Sequence, residues 1–174
     1  MFEDISKKLI ERAKKIKLIG FDVDGVLTDG SIFIGESGEV FKKYSSLDGH
    51  GMKLALKFGI QVCIISARNS PSVHTRFKDF GFEDNVYTGI EDKWTQMQKI
   101  MKKYHLQNDE VAFIGDDALD IPVLEKVGLA VCPPNRHFSV DKHVHYITEH
   151  GGGFGAAREF VDFILVAQNK IPCD

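Results

Sequence analysis

Two aspartates two residues apart, Asp22 and Asp24, follow the apolar run Leu18-Ile19-Gly20-Phe21 and precede Gly25. Side chains alternate along a strand, so both carboxylates face one place. In open parallel sheets ligands bind beyond the carboxyl ends of the strands, which is where this pair stands. Taken alone, Asp-Val-Asp-Gly is also what an ordinary turn after a strand looks like. A second apolar run, Phe113-Ile114, ends in Gly115-Asp116-Asp117-Ala118-Leu119-Asp120. By itself this is a turn with an aspartate helix cap. Five aspartates at neighbouring strand ends would repel one another strongly without a cation, and an oxygen-only ligand set favours a hard ion, Mg²⁺ first. A third run, Val62-Cys63-Ile64-Ile65, ends at Ser66-Ala67-Arg68, where a hydroxyl and helix-start amides can hold a phosphate oxygen. Lys93, after Gly89-Ile90-Glu91-Asp92, offers a compact positive charge for phosphoryl oxygens.

The elements that must carry these residues read as an α/β fold. Short apolar runs at Leu18 to Phe21, Val62 to Ile65 and Val111 to Ile114 alternate with helical patterns at 50–58, 70–80 and 93–104. That alternation predicts a Rossmann-like parallel sheet with helices on both faces. Further strands are expected at Val86-Tyr87, Leu129 to Val131 and Val144 to Ile147, with a closing helix over 153–169. Residues 31–44 break the rhythm. Ser31 to Ile34 and Glu39 to Tyr44 flank Gly35-Glu36-Ser37-Gly38 and read as a β-hairpin inserted after the first strand, too small to close a site alone.

At 174 residues the chain fits one domain over 1–174, with a glycine-rich tail and closing helix over 151–174. Apolar residues make up 43% and charged residues 27%, with a formal net charge of −3, the balance of a soluble globular protein. The basic run from Lys7 to Lys15 reads as a solvated helix face, so nucleic acid is not the expected partner. Cys63, Cys132 and Cys173 have neither disulfide nor zinc spacing, which suits a reducing cytoplasm. The start does not read as a signal peptide, and the apolar run from Phe163 to Ala167 is far short of the ~20 residues that cross a bilayer, so a soluble, unprocessed protein without membrane partners is expected. Gly151-Gly152-Gly153-Phe154-Gly155 lacks the strand and ribose-binding acid of a dinucleotide site, and His143 and His145 lack a third ligand.

Together the aspartate pair, the serine, the lysine and the acidic cluster, spanning Asp22 to Asp120, resemble the four motifs of the haloacid dehalogenase superfamily of phosphatases. The resemblance implies that Asp22 is the nucleophile that forms an aspartyl-phosphate and that Asp24 is the general acid and base. Ser66 and Lys93 would hold the transferring phosphoryl group. Mg²⁺ would be bound by the Asp22 carboxylate, the Asp24 main-chain carbonyl and Asp116, with Asp117 and Asp120 orienting that set.

The whole chain further resembles the small, lidless phosphatases of 3-deoxy-D-manno-octulosonate (Kdo) 8-phosphate, which serve lipopolysaccharide precursor biosynthesis. The segments that carry this are Asp22 to Gly30, the hairpin, Ser45 to Gly51, Gly115 to Asp120 and Gly152 to Glu159. It implies a homotetramer in which hairpins pack together and a neighbouring subunit covers each site. It also implies substrate contacts from Asp24, Ser45, Ser46, Leu47, Asp48, Gly49, Lys53, Arg68, Arg76 and Lys93; cationic groups suit a ligand with both carboxylate and phosphate. Arg68 stands where phosphatases of nine-carbon sugar acids tend to have glutamate. Three departures bear on the site: Ser66-Ala67 replaces threonine-glycine, and Leu47 and Phe154 stand where the family often has arginine. Two other readings stay open at this point: a nonulosonate 9-phosphate or broad metabolite phosphatase, and a non-catalytic oligomerisation domain of the kind attached to sugar-nucleotide synthetases.

Overall fold

The computed structural model describes residues 6–172. Six parallel strands form the central sheet: β1 Leu18–Phe21, β4 Gln61–Ile65, β5 Val86–Tyr87, β6 Val111–Ile114, β7 Leu129–Cys132 and β8 Tyr146–Ile147. Their spatial order is β5-β4-β1-β6-β7-β8. β1, β6 and β7 are buried along their whole length, which is why they appear as unbroken apolar runs. The chain winds outward from β1 in both directions, so the β1/β6 junction is the point where strand order reverses and a crevice opens. Register there is strict: Phe21 lies beside Ile64 on one side and Ile114 on the other. The segments following β1, β4 and β6 therefore leave the sheet at one level.

Helices cover both faces. α1 Lys7–Lys14, α2 Ser46–Lys57, α3 Pro71–Phe77 and α6 Ala156–Ala167 contribute to one core with Leu9, Met52, Phe77 and Phe160. α4 Lys93–Tyr104 and the short α5 Ile121–Leu124 build the other with Met97, Ile100, Val123 and Leu124. α1 presents Leu9 and Ala13 to the core and its lysines to solvent, as its amphipathic pattern requires. The expected hairpin is present as β2 Phe33–Gly35 and β3 Gly38–Phe41, an antiparallel pair of its own and the one inserted structure between β1 and α2 among the described residues.

Several boundaries differ from expectation. α2 starts four residues early, at Ser46, because Ser45 caps it by accepting from the Asp48 amide at 3.4 Å. Its glycines obscure the helical pattern, yet Gly51 is required: a Cβ there would come within 3.1 Å of the Arg158 backbone of α6. α3 stops at Phe77, before Asp79 turns left-handed at φ +66°. Residues 153–155 form a loop, with Gly153 and Gly155 at positive φ, so α6 begins at Ala156. β8 is confined to Tyr146–Ile147, since His145 Nδ1 turns back to accept from the Ala130 amide.

Candidate active site

Asp22 is placed by the last rung of the β1 ladder, its amide donating to the Ile114 carbonyl at 3.0 Å. The chain then turns tightly, with the Val26, Leu27 and Thr28 amides all donating to the Val23 carbonyl. The turn admits no side chain at Gly25: φ is +89°, and a Cβ would stand 2.1 Å from an Asp116 carboxylate oxygen. The motif glycine is thus a condition for bringing the β1 and β6 loops together. Asn135, from the loop after β7, ties this turn down by donating to the Gly25 carbonyl at 2.9 Å and accepting from the Gly152 amide at 2.7 Å.

The crevice is a cleft of about 360 Å³ lined by Asp22, Asp24, Ser66, Ala67, Arg68, Lys93, Asp116, Asp117, Leu119 and Asp120. A larger hollow of about 510 Å³ lies among Lys14, Lys15, Lys17, Asp109 and Glu110, where Lys15 and Lys17 pair with the two acids. That hollow carries no comparable constellation. In the cleft, Lys93 enters as the first residue of α4, whose start is set by Asp92 accepting from the Thr95 amide. Its buried ammonium lies 2.7 Å from Asp22 Oδ1 and 2.6 Å from Asp120 Oδ1. The two carboxylates keep the ammonium charged, raising its pKa despite burial.

Oxygens of Asp22, Asp116 and Asp120 lie within 4.8 Å of one another. Burial, opposed by Lys93, raises the Asp22 pKa to about 6. Burial together with the Asp22 and Asp120 charges raises Asp116 to about 8. Asp116 Oδ1 is buried with no hydrogen-bond partner among the described residues, beside the Asp22 carboxylate that Lys93 pairs. An orphaned carboxylate oxygen gathered with two further carboxylates is an unfavourable arrangement that a divalent cation satisfies. The residues fit Mg²⁺.

The structure places the expected residues both within this cleft and around it. Asp120 sits at the centre of the cluster and does more than orient a ligand set: Oδ2 accepts from the Asp116 and Asp117 amides while Oδ1 holds Lys93. Asp117 lies on the rim, where its carboxylate accepts from the Ala118 amide. Asp48, expected at the substrate, is 2% exposed and its oxygens accept from the Gly155 and Arg158 amides, so its side chain caps α6. Ser45, Gly49 and Arg76 line a separate narrow hollow with Tyr44 and Phe77. Arg76 lies over the Phe80 ring, as does the Lys53 ammonium at 4.4 Å. Leu47 is exposed beside Ser46 at the start of α2, outside the cleft lining. Of the expected substrate contacts, Asp24, Arg68 and Lys93 line the cleft within this chain.

A family described as haloacid dehalogenase-like hydrolase matches residues 85–157. The 3-deoxy-D-manno-octulosonate 8-phosphate phosphatase of Escherichia coli strain K12 is 38% identical over 96% of this chain and 88% of its own length. This chain belongs to that phosphatase family. Among solved structures, a 3-deoxy-D-manno-octulosonate 8-phosphate phosphatase of Vibrio cholerae matches with TM-score 0.93 and 39% identity over 98% of this chain and 94% of that one. The Moraxella catarrhalis enzyme, solved with magnesium, phosphate and Kdo, matches with TM-score 0.89 and 35% identity over 93% and 92%. In this chain Asp22, Asp116 and Lys93 stand together in the cleft at the carboxyl ends of the strands.

Two side chains that bear on the site carried no recognisable signal in the sequence. Lys42, just beyond β3, reads as a surface lysine among its charged neighbours, yet its side chain is buried and pairs with Asp24. Asn135 follows two prolines in a loop, and its link to Gly25 spans 110 residues. No local pattern reports such a contact.

Proposed function

We propose that this chain is a Mg²⁺-dependent phosphatase that hydrolyses Kdo 8-phosphate through an Asp22 aspartyl-phosphate, serving lipopolysaccharide precursor synthesis in the cytoplasm. The observation that carries the reading is the buried Lys93 ammonium, 2.7 Å from Asp22 Oδ1, beside the orphaned Oδ1 of Asp116. Family membership adds the substrate class. Asp22, Asp116 and the Asp24 carbonyl would hold the metal, which supplies charge neutralisation between nucleophile and phosphate. Asp22 forms a bond to phosphorus as the bond to the sugar oxygen breaks, and Asp24 gives its proton to that oxygen. A water then adds to phosphorus, its proton returns to Asp24, and the bond to Asp22 breaks. Lys93 and Ser66 hold phosphoryl oxygens throughout, with Asp120 keeping Lys93 in place.

The chain acts as one hydrolase unit, and among the described residues no lid stands over its cleft. The hairpin exposes Ile34, Val40 and Phe41, an apolar surface suited to packing against other hairpins. A homotetramer would bury that surface and bring a neighbouring subunit over the cleft, where Ser46, Leu47, Lys53 and Arg76 could share in the sugar contact. Arg68, half exposed at the rim, offers a cation to the sugar carboxylate. Leu47 and Phe154, in place of arginines, favour keeping a nonulosonate 9-phosphate as the competing substrate. Phosphate release with Mg²⁺ from the two sugar acid phosphates, assayed side by side, tests this; faster turnover of the eight-carbon substrate is expected, and preference for the nine-carbon one would overturn the substrate assignment.

A further inference from the structure

Asp24 is gripped from two sides. Arg68 Nε reaches Oδ2 at 3.3 Å on a side chain that is 44% exposed, so this contact is screened by solvent. The other grip is of a different kind. Lys42, immediately after β3, has a side chain only 1% exposed, and its ammonium pairs with Asp24 Oδ1. It also lies 3.2 Å from Glu39 Oε2. Glu39 is fixed in turn, its Oε1 accepting from Ser70 Oγ at 2.5 Å and Ser72 Oγ at 3.2 Å. A continuous line of polar contacts thus runs from the start of α3 through the hairpin to the carboxyl that serves the mechanism as general acid and base. An ammonium buried this deeply is costly unless fully paired, so nothing about Lys42 is incidental to its two acids.

We propose that Lys42 is a positioning residue that fixes the Asp24 side chain for proton delivery to the departing sugar oxygen, with Glu39 holding Lys42 in turn. This rests on the assignment of Asp24 as general acid and base made above. Its consequence is selective. A substrate whose leaving oxygen departs as a poor alkoxide needs the proton, whereas one that leaves as a stabilised phenolate scarcely does. A lysine that merely pinned the hairpin would, once removed, depress both reactions alike.

The test measures kcat/KM, which reports the steps through release of the first product, on Kdo 8-phosphate and on p-nitrophenyl phosphate. Lys42→Met is expected to lose about 10²-fold on the sugar phosphate and less than about 5-fold on the aryl phosphate, within the range a positioned general acid supplies. Glu39→Gln should show the same selectivity at about 10-fold. Asp24→Asn combined with Lys42→Met should fall no further on the sugar phosphate than Asp24→Asn alone, because the two act through one group. Equal losses on both substrates, no loss on the sugar phosphate, or additive losses in the double variant would overturn the proposal. If Lys42→Met does not fold, the substrate ratio of Glu39→Gln decides alone. Wild-type protein that releases phosphate from neither substrate would instead sink the phosphatase reading, and this one with it.

Discussion

At the scale of single residues the site is an electrostatic problem left half solved by the chain itself. Lys93 answers Asp22 and Asp120, and Asp116 is left without a partner. The raised pKa values of Asp22 and Asp116 have a stability consequence. The folded protein holds these protons more tightly than the unfolded chain, whose carboxyls titrate near 3.8. Their contribution to stability is therefore complete below about pH 4 and is lost as pH rises through about 6 for Asp22 and about 8 for Asp116. A bound divalent cation reverses this by favouring the ionised forms. The Mg²⁺-induced rise in melting temperature should accordingly be several degrees larger at pH 8 than at pH 5, at about 2–4 °C per kcal/mol for a chain of this size. Asp116→Asn should abolish most of that rise and stabilise the metal-free protein at pH 8. A thermal-shift series in Mg²⁺ and in chelator measures both; an equal rise at the two pH values would contradict the metal assignment.

At the scale of elements, the helix that closes the chain depends on one carboxylate from another helix. Asp48 of α2 accepts from two amides at the start of α6, so Asp48→Ala should cost about 1–2 kcal/mol as a lost cap, read as a fall in melting temperature. Its KM should stay within about twofold of wild type; a large rise in KM with unchanged stability would return Asp48 to the substrate site. The same residue shows where sequence reasoning stops. The parallel sheet was legible because β1, β4, β6 and β7 are buried apolar runs, and the gathering of Asp22, Ser66, Lys93 and the 116–120 acidic cluster in one cleft was legible because each ends such a run or opens a helix. The start of α2 was not, since Gly49 and Gly51 weaken helix propensity and owe their presence to packing against Arg76 and Arg158. Likewise Lys42 and Asn135 act through contacts set by tertiary structure alone.

At the scale of the molecule, the cleft is open and no covering domain stands over it among the described residues, while no helix of the described residues is long and apolar enough to cross a membrane. The hairpin is the surface that calls for a partner. Phe33 stacks on Phe41 at 4.2 Å, and Ile34 and Val40 are 68% and 62% exposed beside them. A solution mass measurement should give a tetramer, and Val40→Asp, which places a charge in the middle of that apolar surface, should dissociate it and lower turnover of the sugar phosphate at least roughly 10-fold. A wild-type monomer with full activity would contradict the shared-site account. The central claim, that Asp22 is a phosphoryl acceptor, is tested most directly by phosphate release from Kdo 8-phosphate with Mg²⁺ by wild type and Asp22→Asn. The variant conserves volume and removes the nucleophile, so turnover should fall at least about 10³-fold with the fold intact by circular dichroism; a folded Asp22→Asn protein that still releases phosphate at the wild-type rate would contradict the account.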